Sequence, residues 1–221
     1  MSTDPCGPGC ACTVGNEFGA DSAERDLRAY RRDGPDRTTR WLLDGLRGGD
    51  GGSVDGLTVL DIGAGVGVVH LELLAVGAAS AVDVDGSPAY VAVAQGEADR
   101  TGLRDKITYL TGDFVELGPS LAPADLVALD RVVCCYPDMQ ALVSLSASYA
   151  LRRYGLVYPR DSWWIRVASS AFNGTNRLFR RRFRFHAHRT AAVEATVVAA
   201  GLRRVDVRRT IFWQVAVFER T

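Results

Sequence analysis

Apolar residues recur along the chain in two alternating patterns, one typical of buried strands and one typical of helices. The strand-like runs occupy residues 57–62, 79–85, 106–111, 125–130 and 154–158. Helical spacing fills most of the gaps, over residues 67–76, 88–101 and 138–152. Strands that alternate with helices of this length form crossover units and a parallel sheet, with ligands at the carboxyl ends of the strands. The pattern therefore predicts an α/β fold.

Both ends of the chain carry further predicted elements. Helices are expected at about 21–32 and 36–47, before a glycine-rich linker over 48–56. After the fifth strand we expect a helix at 162–172, a basic stretch at 177–189, a helix at 190–200, and strands at 203–209 and 211–218. The last two strands follow each other closely and predict an antiparallel hairpin. We divide the chain into a flexible cysteine-containing arm (1–20), an N-terminal helical lid (21–50) and a main domain (51–221).

Composition limits the classes of protein that the chain can belong to. The 221 residues are 47% hydrophobic, enough for a sizeable core, and the formal net charge is zero. No global field therefore favours nucleic acid or an acidic membrane. The opening residues do not resemble a signal peptide, and no apolar run is long enough for a transmembrane helix. We expect a cytoplasmic protein, in which the cysteines are reduced thiols, namely Cys6, Cys10, Cys12, Cys134 and Cys135.

A glycine-rich turn, DIGAGVG over residues 61–67, joins the first strand to the first helix of the sheet. Gly63 and Gly65 allow a sharp turn and a close approach of the backbone to a ligand, and Gly67 allows the helix to pack on the sheet. A dinucleotide fingerprint would place its third glycine one residue later, where Val68 stands. A phosphate-binding loop would need a lysine, which this turn lacks.

Acidic residues follow the next two strands. Asp85, beside Gly86, ends the second strand, where a carboxylate can accept hydrogen bonds from a ribose diol; Asp83 is a competitor inside the strand. This feature indicates a nucleoside without saying which one. Asp113 and Phe114 follow the third strand, and a carboxylate beside an aromatic ring suits the amino group and the face of adenine.

Together with Asp130 and Arg131 after the fourth strand, these elements resemble the class I S-adenosylmethionine-dependent methyltransferases. The resemblance implies a Rossmann-like, doubly wound sheet of seven strands, mostly parallel with one antiparallel strand, and S-adenosyl-L-methionine as cofactor. It assigns the cofactor-binding residues by position: Asp61, Gly63, Ala64, Gly65 and Gly67 for the methionine part, Asp85 and Gly86 for the ribose, Asp113 and Phe114 for the adenine, and Asp130 beside the methionine.

Three residues are candidates for the catalytic step. Arg131 adjoins the transferring methyl by the same positional argument, and Tyr136 lies in the following loop, where it could line the pocket. Tyr30 is the candidate for a lid residue near the methyl, although an ordinary amphipathic helix would also explain its position. The Leu-Asp-x5-Tyr-Pro pattern here is similar to the magnesium-protoporphyrin IX methyltransferase branch. Cys135 stands where that branch commonly has a histidine. This difference argues against a porphyrin substrate and against a histidine base in this chain.

The basic stretch 177–189 allows several interpretations. As a strand over 182–188 it would place four cationic or titratable side chains on one face, namely Arg182, Arg184, His186 and His188. That face could be a solvated edge, could contact an anionic substrate or a membrane surface, or could bind RNA. We expect no metal at the two histidines, because no third ligand lies at a recognisable spacing. The thiols of the arm could bind a soft metal.

We expect methyl transfer to a small-molecule acceptor, with oxygen favoured as the acceptor atom. Trp163, Trp164 and Phe172 are expected to cover the sheet or line an apolar acceptor pocket, which would suit a large, flat molecule. One alternative is an RNA methyltransferase, although the fourth strand lacks the Asn/Asp-Pro-Pro-Tyr/Phe signature of many such enzymes. The others are a nicotinamide-dependent oxidoreductase, against which Val68 argues, and a cofactor-binding protein without catalysis.

Overall fold

A computed structural model of the protein describes residues 18–49, 51–179 and 183–221. Most of the predicted arm, including its three cysteines, lies outside these ranges, and so does Arg182. The strands are β1 (Thr58–Ile62), β2 (Ser80–Asp85), β3 (Ile107–Thr111), β4 (Ala124–Asp130), β5 (Ala150–Pro159), β6 (Leu202–Arg209) and β7 (Trp213–Arg220).

Helices connect these strands and cover both faces of the sheet. They are α1 (Ala20–Asp33), α2 (Arg37–Arg47), α3 (Val68–Ala75), α4 (Pro88–Thr101), α5 (Phe114–Leu117), α6 (Met139–Ser148), α7 (Trp163–Leu178) and α8 (Thr190–Ala199). Short 3-10 turns occupy Arg104–Lys106, Gly118–Ser120 and Val133–Cys135. None of the helices in the described ranges has the length and apolar character that crossing a bilayer requires.

The seven strands form one sheet in the order β3-β2-β1-β4-β5-β7-β6. The pairs from β3 to β5 are parallel, whereas β7 runs antiparallel to both of its neighbours. The predicted fold, a mostly parallel seven-stranded Rossmann-like sheet with one antiparallel strand, is confirmed. Strand order reverses between β1 and β4, so their carboxyl ends border the crevice in which open α/β sheets bind ligands.

The sixth helix is shorter than the sequence pattern predicts. It ends at Ser148, and β5 already begins at Ala150, so the expected helix over 149–152 is wrong at its end. Pairing in the sheet decides this boundary, because Ala150 lies beside Ala124 of β4. A short apolar stretch does not distinguish a helix end from a strand start, and tertiary hydrogen bonding then determines the outcome.

The described part of the basic stretch, residues 183–189, is neither helix nor strand. Side chains of α7 satisfy its backbone instead. Asn173 donates to the Phe185 carbonyl at 2.7 Å and accepts from the Phe185 amide at 2.8 Å, and Asn176 donates to the Phe183 carbonyl at 3.2 Å. The His186 amide donates to the Cys134 carbonyl at 2.7 Å. The strand interpretation is therefore wrong for these residues, since their hydrogen bonds go to a helix and a loop and not to a sheet.

Two of the aromatic residues expected against the sheet or the pocket are solvent-exposed instead. Trp163 is 75% exposed and Phe172 is 45% exposed, and neither contributes to the cavity described below. Trp164 packs on Phe212 at 6.2 Å between ring centroids. Ile165, the next residue after Trp164, is the apolar residue of α7 that is fully buried.

The first two helices pack in different ways. Helix α2 is part of the core: Leu42 and Leu46 are fully buried in a cluster that includes Val59 of β1 and Val157 of β5. Helix α1 buries little besides Ala23. The division of the chain into an arm, a lid over 21–50 and a main domain stays a prediction.

Candidate functional site

A cavity of about 620 Å³ lies at the carboxyl ends of β1, β2 and β4, beneath α1 and the start of α2. Its volume falls in the usual range of small-molecule sites, roughly 300–1,000 Å³. All of the predicted site residues line it except Asp61 and Gly67; those that do are Tyr30, Gly63, Ala64, Gly65, Asp85, Gly86, Asp113, Phe114, Asp130, Arg131 and Tyr136.

The glycine turn has the left-handed backbone that its composition predicts. Gly63, Gly65 and Gly67 have φ values of 64°, 60° and 84°. A Cβ on Gly63 would lie 2.5 Å from a methyl of Val132, so close packing requires glycine there. A Cβ on Gly65 would meet only Tyr90, at 3.8 Å. Gly65 therefore faces open space in the cavity, which leaves its backbone accessible to a ligand.

Asp61 lies below this turn and faces away from the cavity. Its Oδ2 accepts from the Nδ1 of His70, at 2.9 Å, and from the His70 backbone amide, at 3.3 Å. Asp83 lies on the other side of the imidazole, 3.9 Å from Nε2, and all three side chains are buried. Burial and the nearby Asp61 and Asp85 raise the pKa of Asp83 to about 9. Asp61 thus fixes the start of α3, and its contact with a cofactor stays a prediction.

Gly67 also acts below the turn. It is the residue that precedes α3, and a Cβ there would lie 2.7 Å from the ring of His70. The His70 ring of the same helix therefore excludes a side chain at Gly67, and the predicted role of this glycine in packing the helix on the sheet stays a prediction.

Asp85 holds the floor of the turn. One carboxylate oxygen accepts from the Gly65 amide at 2.9 Å, and the other accepts from the Ser87 amide at 2.7 Å. Burial raises the pKa of Asp85, and these two hydrogen bonds oppose that shift. Each oxygen keeps a second lone pair, so the carboxylate can still accept from hydroxyl groups of a ligand.

Asp113, Phe114 and Tyr136 form one wall of the cavity. Asp113 caps α5 by accepting from the Val115 amide at 2.9 Å, and the Tyr136 hydroxyl donates to both of its carboxylate oxygens, at 3.0 and 3.1 Å. Phe114 is buried with its ring edge-on to Tyr149. The structure thus links Tyr136, predicted beside the reaction, to Asp113, predicted beside the adenine.

Asp130 and Arg131 connect the end of β4 to the start of α2. The Thr39 hydroxyl donates to Asp130 Oδ2 at 2.5 Å, whereas Asp130 Oδ1 is buried and has no hydrogen-bond partner. Burial raises the pKa of Asp130 to about 6, and the nearby Arg131 and the Thr39 hydrogen bond limit the rise. Arg131 donates to Asp36 and, at 2.8 Å, to Thr38.

Among the residues that the structure describes, Arg131 is the one non-glycine residue with a left-handed backbone, with a φ of 64°. Its guanidinium lies 5.6 Å from the ring centre of Trp213. A strained backbone of this kind persists only where its surroundings hold it, and such residues concentrate at functional sites. The hydrogen bonds to α2 and the aromatic contact supply that support.

Tyr30 presents its ring to the cavity from α1 while its hydroxyl donates to Glu72 of α3 at 2.9 Å. Burial, followed by this hydrogen bond, raises the pKa of Tyr30 well above its usual range. The phenol is therefore neutral and oriented toward α3. Its predicted catalytic role stays a prediction.

Several cavity residues could not be identified from the sequence. Phe18 and Asp26 come from the N-terminal segment and converge on Tyr90 of α4, with the Tyr90 hydroxyl 2.5 Å from Asp26 and the two rings 6.0 Å apart. Thr39 was missed as well, because a threonine next to a helix N-cap reads as part of the cap. None of these contacts has a local sequence signal, since each spans more than 60 residues of chain.

The two vicinal cysteines lie in the 3-10 turn that follows β4, and Cys135 lines the cavity. Their sulfurs are 3.8 Å apart, and this contact raises the pKa of Cys134 and lowers that of Cys135. His188 lies close by, with Nε2 at 3.0 Å from the carbonyl oxygen of Tyr136. Among the described residues, no group of three or more His, Cys, Asp or Glu side chains is placed to hold a metal ion.

Comparison with known proteins agrees with this geometry. Residues 59–152 match the family described as a methyltransferase domain. The ribosomal protein L11 methyltransferase of Enterobacter sp. (strain 638) is 30% identical over 97 residues, which are 43% of this chain and 32% of that protein. The chain thus matches about a third of the length of this curated relative.

Solved structures share the whole architecture. The magnesium protoporphyrin IX methyltransferase of Synechocystis PCC 6803, with bound SAH, superposes with a TM-score of 0.75 at 22% identity, over 96% of this chain and 100% of that chain. An O-methyltransferase family 2 protein of Planctomyces limnophilus DSM 3776, in complex with apigenin, gives a TM-score of 0.66 at 20% identity, over 91% and 62% of the two chains. Residues 59–152 thus match a methyltransferase domain, and the chain as a whole has the fold of these solved methyltransferase structures.

Proposed function

We propose that the protein binds S-adenosylmethionine in the cavity beside β1, β2 and β4 and transfers its methyl group to a small-molecule acceptor. The observation that carries this proposal is the position of Asp85, which accepts from the Gly65 amide while both residues line the cavity. An acid that holds a glycine turn and keeps free lone pairs toward the cavity suits a ribose diol.

Three further features of the cavity suit this cofactor. The open space over Gly65 accommodates a ligand group where any side chain would intrude. Asp113 and Phe114 offer a carboxylate and an aromatic ring on the wall expected to hold the adenine. Oδ1 of Asp130 lies 3.6 Å from Nε of Arg131 but accepts no hydrogen bond, so it is a buried acceptor that a cationic amino group could satisfy.

When bound, the cofactor supplies a sulfonium-linked methyl group, which is a good electrophile without further activation. The chain then has to align an acceptor with that methyl and exclude water, and alignment alone can supply about 7–11 kcal/mol. Tyr30 covers the cavity from α1, and Arg131 fixes its floor through α2. We infer that these two residues position the acceptor and that Tyr136 supports the cofactor wall through Asp113.

A small-molecule acceptor suits the lining of the cavity. Val66, Val68 and Leu142 supply apolar surface, and Arg37 and Arg40 of α2 supply positive charge. The lining also carries carboxylates, among them Asp33 and Asp36, so an anionic group of the acceptor has to lie beside these two arginines. A large, flat acceptor with such a group fits this arrangement, and an oxygen atom is the favoured methyl acceptor. The magnesium protoporphyrin IX methyltransferase and the apigenin complex among the structural neighbours support an acceptor of this size.

The alternatives differ in what they require of the cavity. A nicotinamide dinucleotide would need a third glycine at position 68, where Val68 begins α3. An RNA methyltransferase would bind RNA with a steep salt dependence. A binding protein without catalysis would hold the cofactor and turn over no acceptor.

The proposal is tested by measuring S-adenosylhomocysteine release from S-adenosylmethionine in the presence of porphyrin carboxylates, phenols and RNA. We expect release that depends on a small acceptor and that falls in Asp85→Asn, with the exposed acid variant Asp99→Asn as control. Release that depends on RNA alone would favour the RNA alternative. Cofactor binding with no release for any acceptor would favour the non-catalytic one.

A further inference from the structure

The solvent side of α7 is apolar, the reverse of the usual arrangement in a surface helix. At 100° per residue, Trp163, Val167 and Leu178 share one side of the helix, opposite the buried Ile165 and Asn176. The three side chains are 75%, 60% and 77% exposed. We call them the α7 outer face. Three large apolar side chains this exposed on one side of a helix indicate a site of interaction.

The apolar surface continues beyond the helix. Ile211, in the turn between β6 and β7, is 80% exposed, and its neighbour Phe212 packs on Trp164 at the start of α7. Phe179, directly after the helix, is 72% exposed. The exposed hydrophobic side chains therefore stand at both ends of α7 and on the adjacent turn, with the small residues Ser170 and Gly174 between them.

Positive charge accompanies this surface. Residues 161–193 contain seven arginines and one acidic residue, Asp161, which lies 3.5 Å from Arg166. Arg166 and Arg177 are exposed and lie on one flank of the outer face, about 60° and 40° from Trp163 by helical spacing. A helix with tryptophan and leucine on one side and arginines beside it has the composition of an interfacial amphipathic helix.

We propose that the α7 outer face docks on the surface of an anionic lipid bilayer. Trp163, Val167 and Leu178 would enter the boundary between headgroups and acyl chains, where tryptophan is favoured. The flanking arginines would pair with lipid phosphates and keep their charge at headgroup level.

Charge and shape disfavour two other occupants. A second copy packed through the same face by two-fold symmetry would bring Arg166 and Arg177 against equally charged partners. Single-stranded RNA would stack on Trp163 but gain nothing from the aliphatic Val167 and Leu178.

The docked helix would lie next to the cavity. At its start, Trp164 contacts Phe212, which packs on Trp213, the residue below Arg131. Further along the helix, Phe172 contacts Phe183, which packs on Phe18 of the cavity lining. Apolar acceptors that partition into lipid would thus be concentrated near the rim of the site.

The test is co-sedimentation of the full chain, without cofactor, with vesicles of phosphatidylcholine alone and of phosphatidylcholine with phosphatidylglycerol. We expect binding to the anionic vesicles and little to the neutral ones. Replacing the outer face by Trp163→Ser, Val167→Ser and Leu178→Ser together should lower the partition coefficient about tenfold or further, because the inserted apolar area is lost. Arg166→Gln with Arg177→Gln should lower it less and reduce its salt dependence.

The matched control is Val76→Ser with Val198→Ser, an exposed valine directly after α3 and one on α8, which should bind as the wild type does. Circular dichroism checks that every variant is folded. Absence of binding to anionic vesicles, or equal binding by the serine variant, would overturn the proposal. The proposal would also be overturned if the protein did not bind vesicles but self-associated or bound RNA, and if the serine changes abolished that association. Because cofactor is absent throughout, the result is independent of the proposed methyl transfer.

Discussion

The hydroxyl of Thr39, near the start of α2, donates a 2.5 Å hydrogen bond to the carboxylate of Asp130, at the end of β4. The two residues are 91 positions apart in the chain, and the bond joins the N-terminal helices to the floor of the cavity. Arg131, the next residue, bonds to Asp36 and Thr38 of the same helix start. The N-terminal region therefore contributes to the site directly and does not merely cover it.

Removing the Thr39 hydroxyl should weaken both the fold and the site. Thr39→Val keeps the shape of the side chain but leaves Asp130 without its hydrogen-bond donor in a buried position. The free energy of unfolding should fall by about 1–3 kcal/mol, the usual cost for a buried charged acceptor. Urea denaturation measures this loss. Thr39→Ser keeps the hydroxyl and should remain close to the wild type; equal losses in both variants would contradict the assigned role of the bond.

The buried Asp83 should make stability depend on pH. Its pKa of about 9 in the fold exceeds the value of about 3.9 in an unfolded chain. Below pH 4 both states hold the proton; between about pH 4 and 9 the unfolded state releases it and the folded state keeps it, so stability is lost as pH rises. Each pH unit in this window costs up to about 1.4 kcal/mol.

Asp83→Asn should therefore flatten the decline in unfolding free energy between pH 5 and pH 8. Denaturation at several pH values measures the two slopes. The control is Asp99→Asn, which changes an exposed carboxylate and should keep the wild-type slope. A slope in Asp83→Asn that equals that of the wild type would show that Asp83 ionises normally in the fold.

Gly65→Ala should separate backbone strain from occupation of the cavity. The new methyl would project into the space over the turn, at 3.8 Å from Tyr90, so the protein should fold and lose cofactor affinity about tenfold or further. Gly102→Ala introduces alanine at a similar positive φ of 71° with no neighbour within 4 Å. It should cost about 1 kcal/mol of stability and leave binding unchanged. Equal affinity in the two variants would place the ligand elsewhere.

Tyr136→Phe should act through Asp113. Loss of its hydroxyl removes a donor from the Asp113 carboxylate, and cofactor affinity should fall by roughly 1 kcal/mol. Tyr149→Phe is the control, because the Tyr149 hydroxyl bonds to the Gly118 carbonyl at 2.5 Å and lies outside the cavity. Calorimetric titration compares the two. A change in turnover without a change in affinity would instead place Tyr136 at the reacting atoms.

Sequence patterns predicted the sheet well because most of its strands are short apolar runs separated by stretches of helical spacing. The boundary at Ala150 could not be predicted, because pairing with Ala124 decides it. The backbone of residues 183–189 was also unpredictable, since the amides of Asn173 and Asn176 replace a strand partner.

The candidate site was predicted where its residues stand at strand ends, as Asp85 and Asp113 do. Their place in the sheet brings them to the same edge, whatever the rest of the chain does. Asp61 stands two residues before Gly63, as expected, but its side chain bonds to His70 and does not line the cavity. This orientation depends on the packing of α3, which the sequence pattern does not show. Thr39 reaches the site through tertiary packing of α2, for which no short-range pattern exists.

The most direct test of the central claim is calorimetric binding of S-adenosylmethionine and S-adenosylhomocysteine to the wild type and to Asp85→Ala. We predict micromolar binding of both ligands by the wild type, weakened by about 2 kcal/mol or further in the variant, the scale of a lost hydrogen bond to a charged group. No binding of either ligand by folded wild-type protein would contradict the account and leave the glycine turn as a packing feature or the seat of another nucleotide.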